Sequence, residues 1–110
     1  MRAKLAIAGL MLAGTGCLPL PLGTTEAQWR VLRHCESTGN PKAVSASGKY
    51  RGYYQLDQRT WDGVAKDIAP AYVGVKPDQA PEVVQHQLAH ALFEKRGWKP
   101  WPVCGKKAFR

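Results

Sequence analysis

No aromatic side chain precedes Trp29; all ten of the chain's Trp, Tyr and Phe residues lie between Trp29 and Phe109 of a 110-residue sequence. The large side chains that close a core are therefore confined to roughly 80 residues, enough for one small domain. A core of that size often needs a covalent staple. Overall, 45% of residues are hydrophobic and 22% charged, which excludes a disordered tail and a multi-span membrane protein.

The aromatic-free segment has its own pattern. Arg2 and Lys4 precede an apolar run from Leu5 to Ala13, and Gly, Pro and small residues follow through Pro19, Pro21 and Gly23. This is the layout of an export signal, too short and too Pro-broken for a membrane span; the competing reading is a buried helix of the domain. Two processing sites compete as well. Thr25-Glu26-Ala27 offers small residues for cleavage before Gln28, whereas Gly14-Thr15-Gly16-Cys17 is a lipoprotein box that would anchor a lipid on Cys17 but lacks the usual Leu at its start. Thr25 and Gln28 also have the spacing of a helix capping box, which cleavage between them would destroy. The expected division is a signal peptide over 1–27, a domain over 28–105 and a basic tail over 106–110.

With Cys17 in the leader, Cys35 and Cys104 remain, an even pair in an exported chain, and a disulfide is the natural inference. Closing so long a loop is worth about 4 kcal/mol on the chain-entropy account. Two free thiols are the alternative, but neither Cys has neighbours at metal-ligand spacing.

Residues 26–36 read as a first helix that places Trp29, Leu32 and Glu36 on one face. Ser37-Thr38-Gly39-Asn40-Pro41 ends it. Residues 44–55 read as a short β-hairpin turning at Ser47-Gly48, with Tyr50, Tyr53 and Tyr54 on its arms. Asp57 is a candidate N-cap for a helix carrying Trp61 and Val64. A last helix runs from Pro81 to Arg96 with an apolar stripe of Val84, Leu88, Ala91 and Leu92, and stops at Gly97. The Pro-rich stretch 98–104 should pack as a cover. The expected class is α+β, a mainly helical domain with one hairpin and one disulfide.

Glu36 is out of place on an apolar face. At a helix C-terminus it meets the negative end of the dipole, and desolvation also disfavours its charge. Both raise its pKa, as a general acid at neutral pH requires. A surface Glu that merely ends a helix satisfies the spacing equally well.

The stretches Cys35-Glu36-Ser37-Thr38-Gly39-Asn40, Gly52-Tyr53-Tyr54-Gln55-Leu56-Asp57, Thr60-Trp61 and Gly97-Trp98 through Trp101-Pro102-Val103-Cys104 resemble, in order, the catalytic domain of the resuscitation-promoting factors. Those are secreted actinobacterial proteins with a lysozyme-like fold. The resemblance covers about residues 28–104. It implies that Glu36 is the single catalytic carboxylate acting on the β-1,4 bond between N-acetylmuramic acid and N-acetylglucosamine in peptidoglycan, as lytic transglycosylase or muramidase. It further implies that Gln55 and Thr60 line the sugar groove and that Cys35 and Cys104 form the family's disulfide. The family's usual Gly is here Thr38, Pro41 replaces a common aromatic, and Lys49-Tyr50-Arg51 adds basic residues.

Tyr50, Tyr53 and Tyr54 are further candidates for the groove, because Tyr offers a flat apolar face with a polar tip, although by alternation at least one of them must face the core. Trp61 reads as core. Asp57 and Asp62 are the candidates for a second carboxylate, and Asp57 is better explained as a cap. With one carboxylate, the sugar's 2-acetamido group would act as nucleophile. His86 and His90 stand one turn apart, with Glu82 extending the row, and read as a solvent-facing stripe and not as metal ligands; His34 has no role. No metal or cofactor is expected. The net charge of +8 suits an anionic cell wall, and no Lys/Arg-rich recognition helix argues for nucleic acid. The expectation is a secreted, wall-associated monomer acting on glycan strands, with cell-wall remodelling or resuscitation of growth as its setting. A non-catalytic peptidoglycan-binding or signalling module of the same fold is the alternative.

Overall fold

Four α-helices organise residues 19–110, the part described by the computed structural model. They are α1 (Glu26–Ser37), α2 (Gln58–Ile68), α3 (Glu82–Arg96) and α4 (Cys104–Phe109), with single 3₁₀ turns at Pro70–Tyr72 and Pro77–Gln79 between α2 and α3. The apolar run 5–13 and Cys17 lie outside the described residues. No described helix is long and apolar enough to cross a membrane.

Local chemistry sets the helix starts. In α1 the Gln28 N–H donates to Thr25 Oγ1 at 3.2 Å while Gln28 Oε1 accepts from the Thr25 N–H at 2.9 Å, a complete capping box. In α2 Asp57 accepts from the Thr60 N–H at 2.7 Å. Pro81 is the residue before α3 and not within it, and Gly97 ends that helix at a positive φ of 63°.

The core is built around Trp29, which is fully buried on α1. His90 and Phe93 of α3, Phe109 of α4, Tyr54 and Trp101 all meet its ring edge-on, with centroids 4.5–6.2 Å away. Leu32, Trp61, Leu88 and Leu92 fill the rest. Such edge-to-face pairs add about 0.5–1.5 kcal/mol each beyond area burial. The Cys35–Cys104 disulfide forms, with Cα atoms 5.7 Å apart, and joins the end of α1 to the start of α4.

At three places the structure adds to or departs from the expected layout. The basic segment 106–110 is mostly helical. Most of it belongs to α4, whose Ala108 is buried and whose Phe109 packs edge-on against Trp29 and tilted against Phe93. The folded part also begins before residue 28. Pro21 is buried, Leu20 packs on the core, and Thr24 Oγ1 accepts from the Trp29 indole N–H at 3.0 Å while donating to the Pro21 carbonyl at 2.6 Å.

Finally, residues 44–56 form two isolated antiparallel bridges, Val44 with Arg51 and Arg51 with Leu56, and no strand is present among the described residues. The chain reverses immediately after Arg51, at Gly52 (φ 83°) and Gln55 (φ 52°), before a ladder can extend. Gly52 is obligatory there. A Cβ on it would stand 2.5 Å from Gln85 Oε1, in a left-handed backbone that favours glycine.

Candidate active site

Glu36 stands in the last turn of α1, half-buried, on the same face as the buried Trp29 and Leu32. Next to it opens a cleft of about 380 Å³. One side is the reversing loop, through Tyr50 and Gln55; the other is the Pro-rich cover, through Pro100, Trp101, Pro102, Val103 and Cys104. Among these lining residues Glu36 is the one carboxylate. Burial alone pushes its pKa from 4.5 up to about 7, since its charged form loses solvent and gains no compensating partner. None of the ion pairs among the described residues involves it. A carboxyl poised there can hold a proton at neutral pH and give it to an oxygen docked in the cleft.

The walls are fixed by specific contacts. Trp101 is buried and donates its indole N–H to the Tyr54 carbonyl at 2.9 Å, which pins the cover to the loop. The disulfide ties Cys35, adjacent to Glu36, to Cys104 on the opposite wall. Ser37 Oγ bonds the carbonyls of Arg33 and Tyr53, joining the end of α1 to the same loop. Two residues carry backbone strain, one in the cleft wall and one just past Glu36 in the chain. Thr38 caps α1 at φ 54° and Gln55 turns the loop at φ 52°, both in the region where side chains are disfavoured. Gln55 Nε2 donates to the Gly52 and Ala43 carbonyls at 3.0 and 3.3 Å, which holds the strained turn.

The expected site residues fall into two groups. Glu36, Gln55 and Tyr50 meet at one cleft, with Tyr50 42% exposed. Tyr54 does not join them. It is 2% exposed, and its hydroxyl is shared between Arg33 Nη1 (3.1 Å) and His86 Nδ1 (2.7 Å), so it is a core residue, its pKa pushed up to about 12 by burial. Thr60 lies in the first turn of α2 and is not among the residues lining the Glu36 cleft. Neither Asp57 nor Asp62 lines it either; Asp57 caps α2, and Asp62 accepts from Gln58 Nε2 and the Gly74 N–H at 3.0 and 2.8 Å.

The histidine stripe is likewise corrected. His86 and His90 are half-buried, His86 stacking on Tyr53 and His90 meeting the face of α1 at Trp29. Burial pushes His90 down to about 4 and His86 downward too, with Arg33 lowering both. Among the described residues no three His, Cys, Asp or Glu side chains converge as metal ligands.

Two features of the site had no sequence signal strong enough to assign them. The Pro100–Val103 wall was legible as a cover but not as half of a cleft. Gln85, 2% exposed, organises the loop from behind: its Oε1 accepts from the Tyr53 N–H at 2.8 Å, and its Nε2 donates to the Pro41 and Ala80 carbonyls, both at 3.1 Å. A polar residue at a core position of α3 was the one clue.

Comparison with known proteins bears on this geometry. A family model described as a transglycosylase-like domain matches residues 23–104. The chain is 44% identical over 66 residues to "Probable transglycosylase SceD 3" of Staphylococcus saprophyticus, a match covering 60% of this chain and 26% of that protein. It is 44% identical over 66 residues to "Probable transglycosylase SceD" of Staphylococcus haemolyticus (60% and 27%), and 45% identical over 67 residues to the Staphylococcus aureus protein of the same name (60% and 27%). The matched part thus spans about a quarter of the length of these curated relatives.

Proposed function

The chain belongs to the transglycosylase-like domain family, and on that footing we propose that it cleaves peptidoglycan at the β-1,4 bond following N-acetylmuramic acid, with Glu36 as its acid and base. The observation that carries this reading is the lone cleft carboxylate whose pKa burial lifts to about 7. Tyr50 and Gln55 flank the bound sugar, and the Pro100–Val103 wall gives its apolar face something to lie against. The resemblance to the resuscitation-promoting factors belongs to the same proposal. So do export through the leader at the N-terminus, action at the cell wall, and a part in wall remodelling or regrowth.

Most glycosidases use two carboxylates. With one at the cleft, the substrate supplies the other function. Glu36 protonates the leaving glycosidic oxygen while the 2-acetamido oxygen closes on C1. The resulting carboxylate then removes the proton from the muramic acid C6 hydroxyl, which attacks C1 and displaces the acetamido group. The product is a 1,6-anhydro sugar and Glu36 is re-protonated. The similar staphylococcal proteins are named as probable transglycosylases, which favours this outcome over attack by water.

The test is Glu36→Gln, which keeps shape and removes the transferable proton. Sacculi digested by the wild type should yield anhydro-muramic ends by mass spectrometry, and the variant should be at least about 100-fold slower. Reducing ends in place of anhydro ends would assign hydrolysis instead. A variant as fast as the wild type would overturn Glu36; a wild type that binds sacculi and never cuts them would leave a binding module.

A further inference from the structure

A second cleft, larger than the one beside Glu36 at about 570 Å³, opens on the other side of the same turn. Tyr50 faces the Glu36 cleft, while its neighbours Lys49 and Arg51 face the second. Arg59 at the start of α2 and Lys76 before the second 3₁₀ turn complete a ring of four cations. The one carboxylate lining it, Asp57, is engaged in capping α2. Arg51 is anchored by Asp78 at 3.1 Å and by the Gly48 carbonyl, so its position is fixed. Lys49, Arg59 and Lys76 are exposed and enter none of the ion pairs among the described residues.

Like charges gathered around an open concavity repel one another, and a ligand of opposite sign relieves that repulsion. A single small anion needs one Arg fork, whereas four cations spread around a cleft suit several anionic groups in series. We propose that this cleft binds a polyanionic chain, its phosphodiester or carboxylate groups laid across Lys49, Arg51, Arg59 and Lys76. Resting on the reading of a wall-cleaving enzyme, the site would hold a charged wall polymer or peptide stem beside the strand being cut. The shared turn at 48–51 couples the two clefts, since Lys49 also lies over the Tyr50 ring, 5.4 Å from its centroid.

The test uses the Glu36→Gln background, so that cleavage does not confound binding, and measures affinity for linear inorganic polyphosphate and co-sedimentation with sacculi. Arg59→Gln with Lys76→Gln should weaken both roughly tenfold at low salt, with an unchanged melting curve and a smaller difference at about 150 mM salt. Lys106→Gln with Lys107→Gln removes the same charge from α4 and should leave both nearly unchanged. Equal loss in the two pairs, or none in the first, overturns the site. Hydrofluoric acid strips phosphodiester polymers from sacculi. If it brings the parent down to the level of the first pair, phosphodiesters are the ligand; if the parent keeps its advantage, stem carboxylates are. Polyphosphate binding without any retention on sacculi supports the cleft and overturns the wall reading. Continued cutting by Glu36→Gln overturns only the role of Glu36.

Discussion

Glu36 and Gln85 are both polar side chains set among apolar neighbours, and the molecule treats them in opposite ways. Gln85 is sealed in, and three hydrogen bonds to backbone groups satisfy both ends of its amide. Glu36 is half-open, faces a cleft, and is desolvated without a compensating partner. A satisfied buried polar group fixes structure. An unsatisfied one keeps its proton available for exchange. The contrast separates the part of the fold that holds the loop still from the part that reacts.

The strongest way to break the contrast is to release the wall on the reactive side. Replacing both Cys35 and Cys104 by Ser should cost about 4 kcal/mol of unfolding free energy. Denaturant titration reads the loss, and activity should fall further than the folded fraction explains because the two sides of the cleft are no longer tied.

On the structural side, Gln85→Leu strands the Tyr53 N–H and the Pro41 and Ala80 carbonyls. The expected cost is about 3 kcal/mol, at roughly 1 kcal/mol for each bond lost. Whatever molecules remain folded should keep the Glu36 titration unaltered in a pH-rate profile, which a catalytic role for Gln85 would not permit.

Acid sharpens the comparison. His90, unfolded at 6.5 and folded at about 4, binds a proton more readily in the unfolded chain. Stability is therefore whole above pH 6.5 and declines as pH falls from there towards 4, by roughly 2 kcal/mol after allowance for its partial exposure. His86, facing Arg33, Glu26 and Glu82, adds to the same trend. Glu36 works the other way. Its folded pKa is raised, so folding gains from its protonation as pH falls from about 7 towards 4.5. The two trends oppose each other, so melting temperatures should fall more between pH 7 and 4 in Glu36→Gln than in the wild type, and less in His90→Phe, which keeps a ring on Trp29.

The smallest effect concerns Thr38, a β-branched residue held at φ 54° two positions after Glu36. Thr38→Gly should stabilise by about 1 kcal/mol, relief of left-handed strain outweighing the added freedom of the unfolded chain. A thermal melt shows the shift. Loss of stability would mean that the hydroxyl contact to the Ser37 carbonyl outweighs the strain.

What the sequence made legible was local. Thr25, Asp57 and Gly97 mark helix ends because their roles are completed within a few residues, and the stripe of Val84, Leu88 and Leu92 follows from helical period. Glu36 stood out because a carboxylate on an apolar face breaks that period. What stayed hidden depended on partners distant in the chain. The helix at 104–109 is short and carries two lysines, and it is held by Phe109 reaching Trp29 eighty residues earlier. His86 and His90 read as polar, yet the breadth of the Trp29 and Tyr54 rings carries burial out to them. Tyr50 and Tyr54 look alike in sequence, and only the reversal at Gly52 sends one outward and the other into the core.

The half-open setting of Glu36 makes occupancy and protonation one event. Its pKa already stands near neutrality with part of the carboxyl still hydrated. A neutral sugar that displaces the remaining water would lift it further, so the ligand recruits a proton as it arrives and binds more tightly in mildly acidic surroundings. Departure of the product readmits water and lets that proton go, which resets the carboxyl for the next strand.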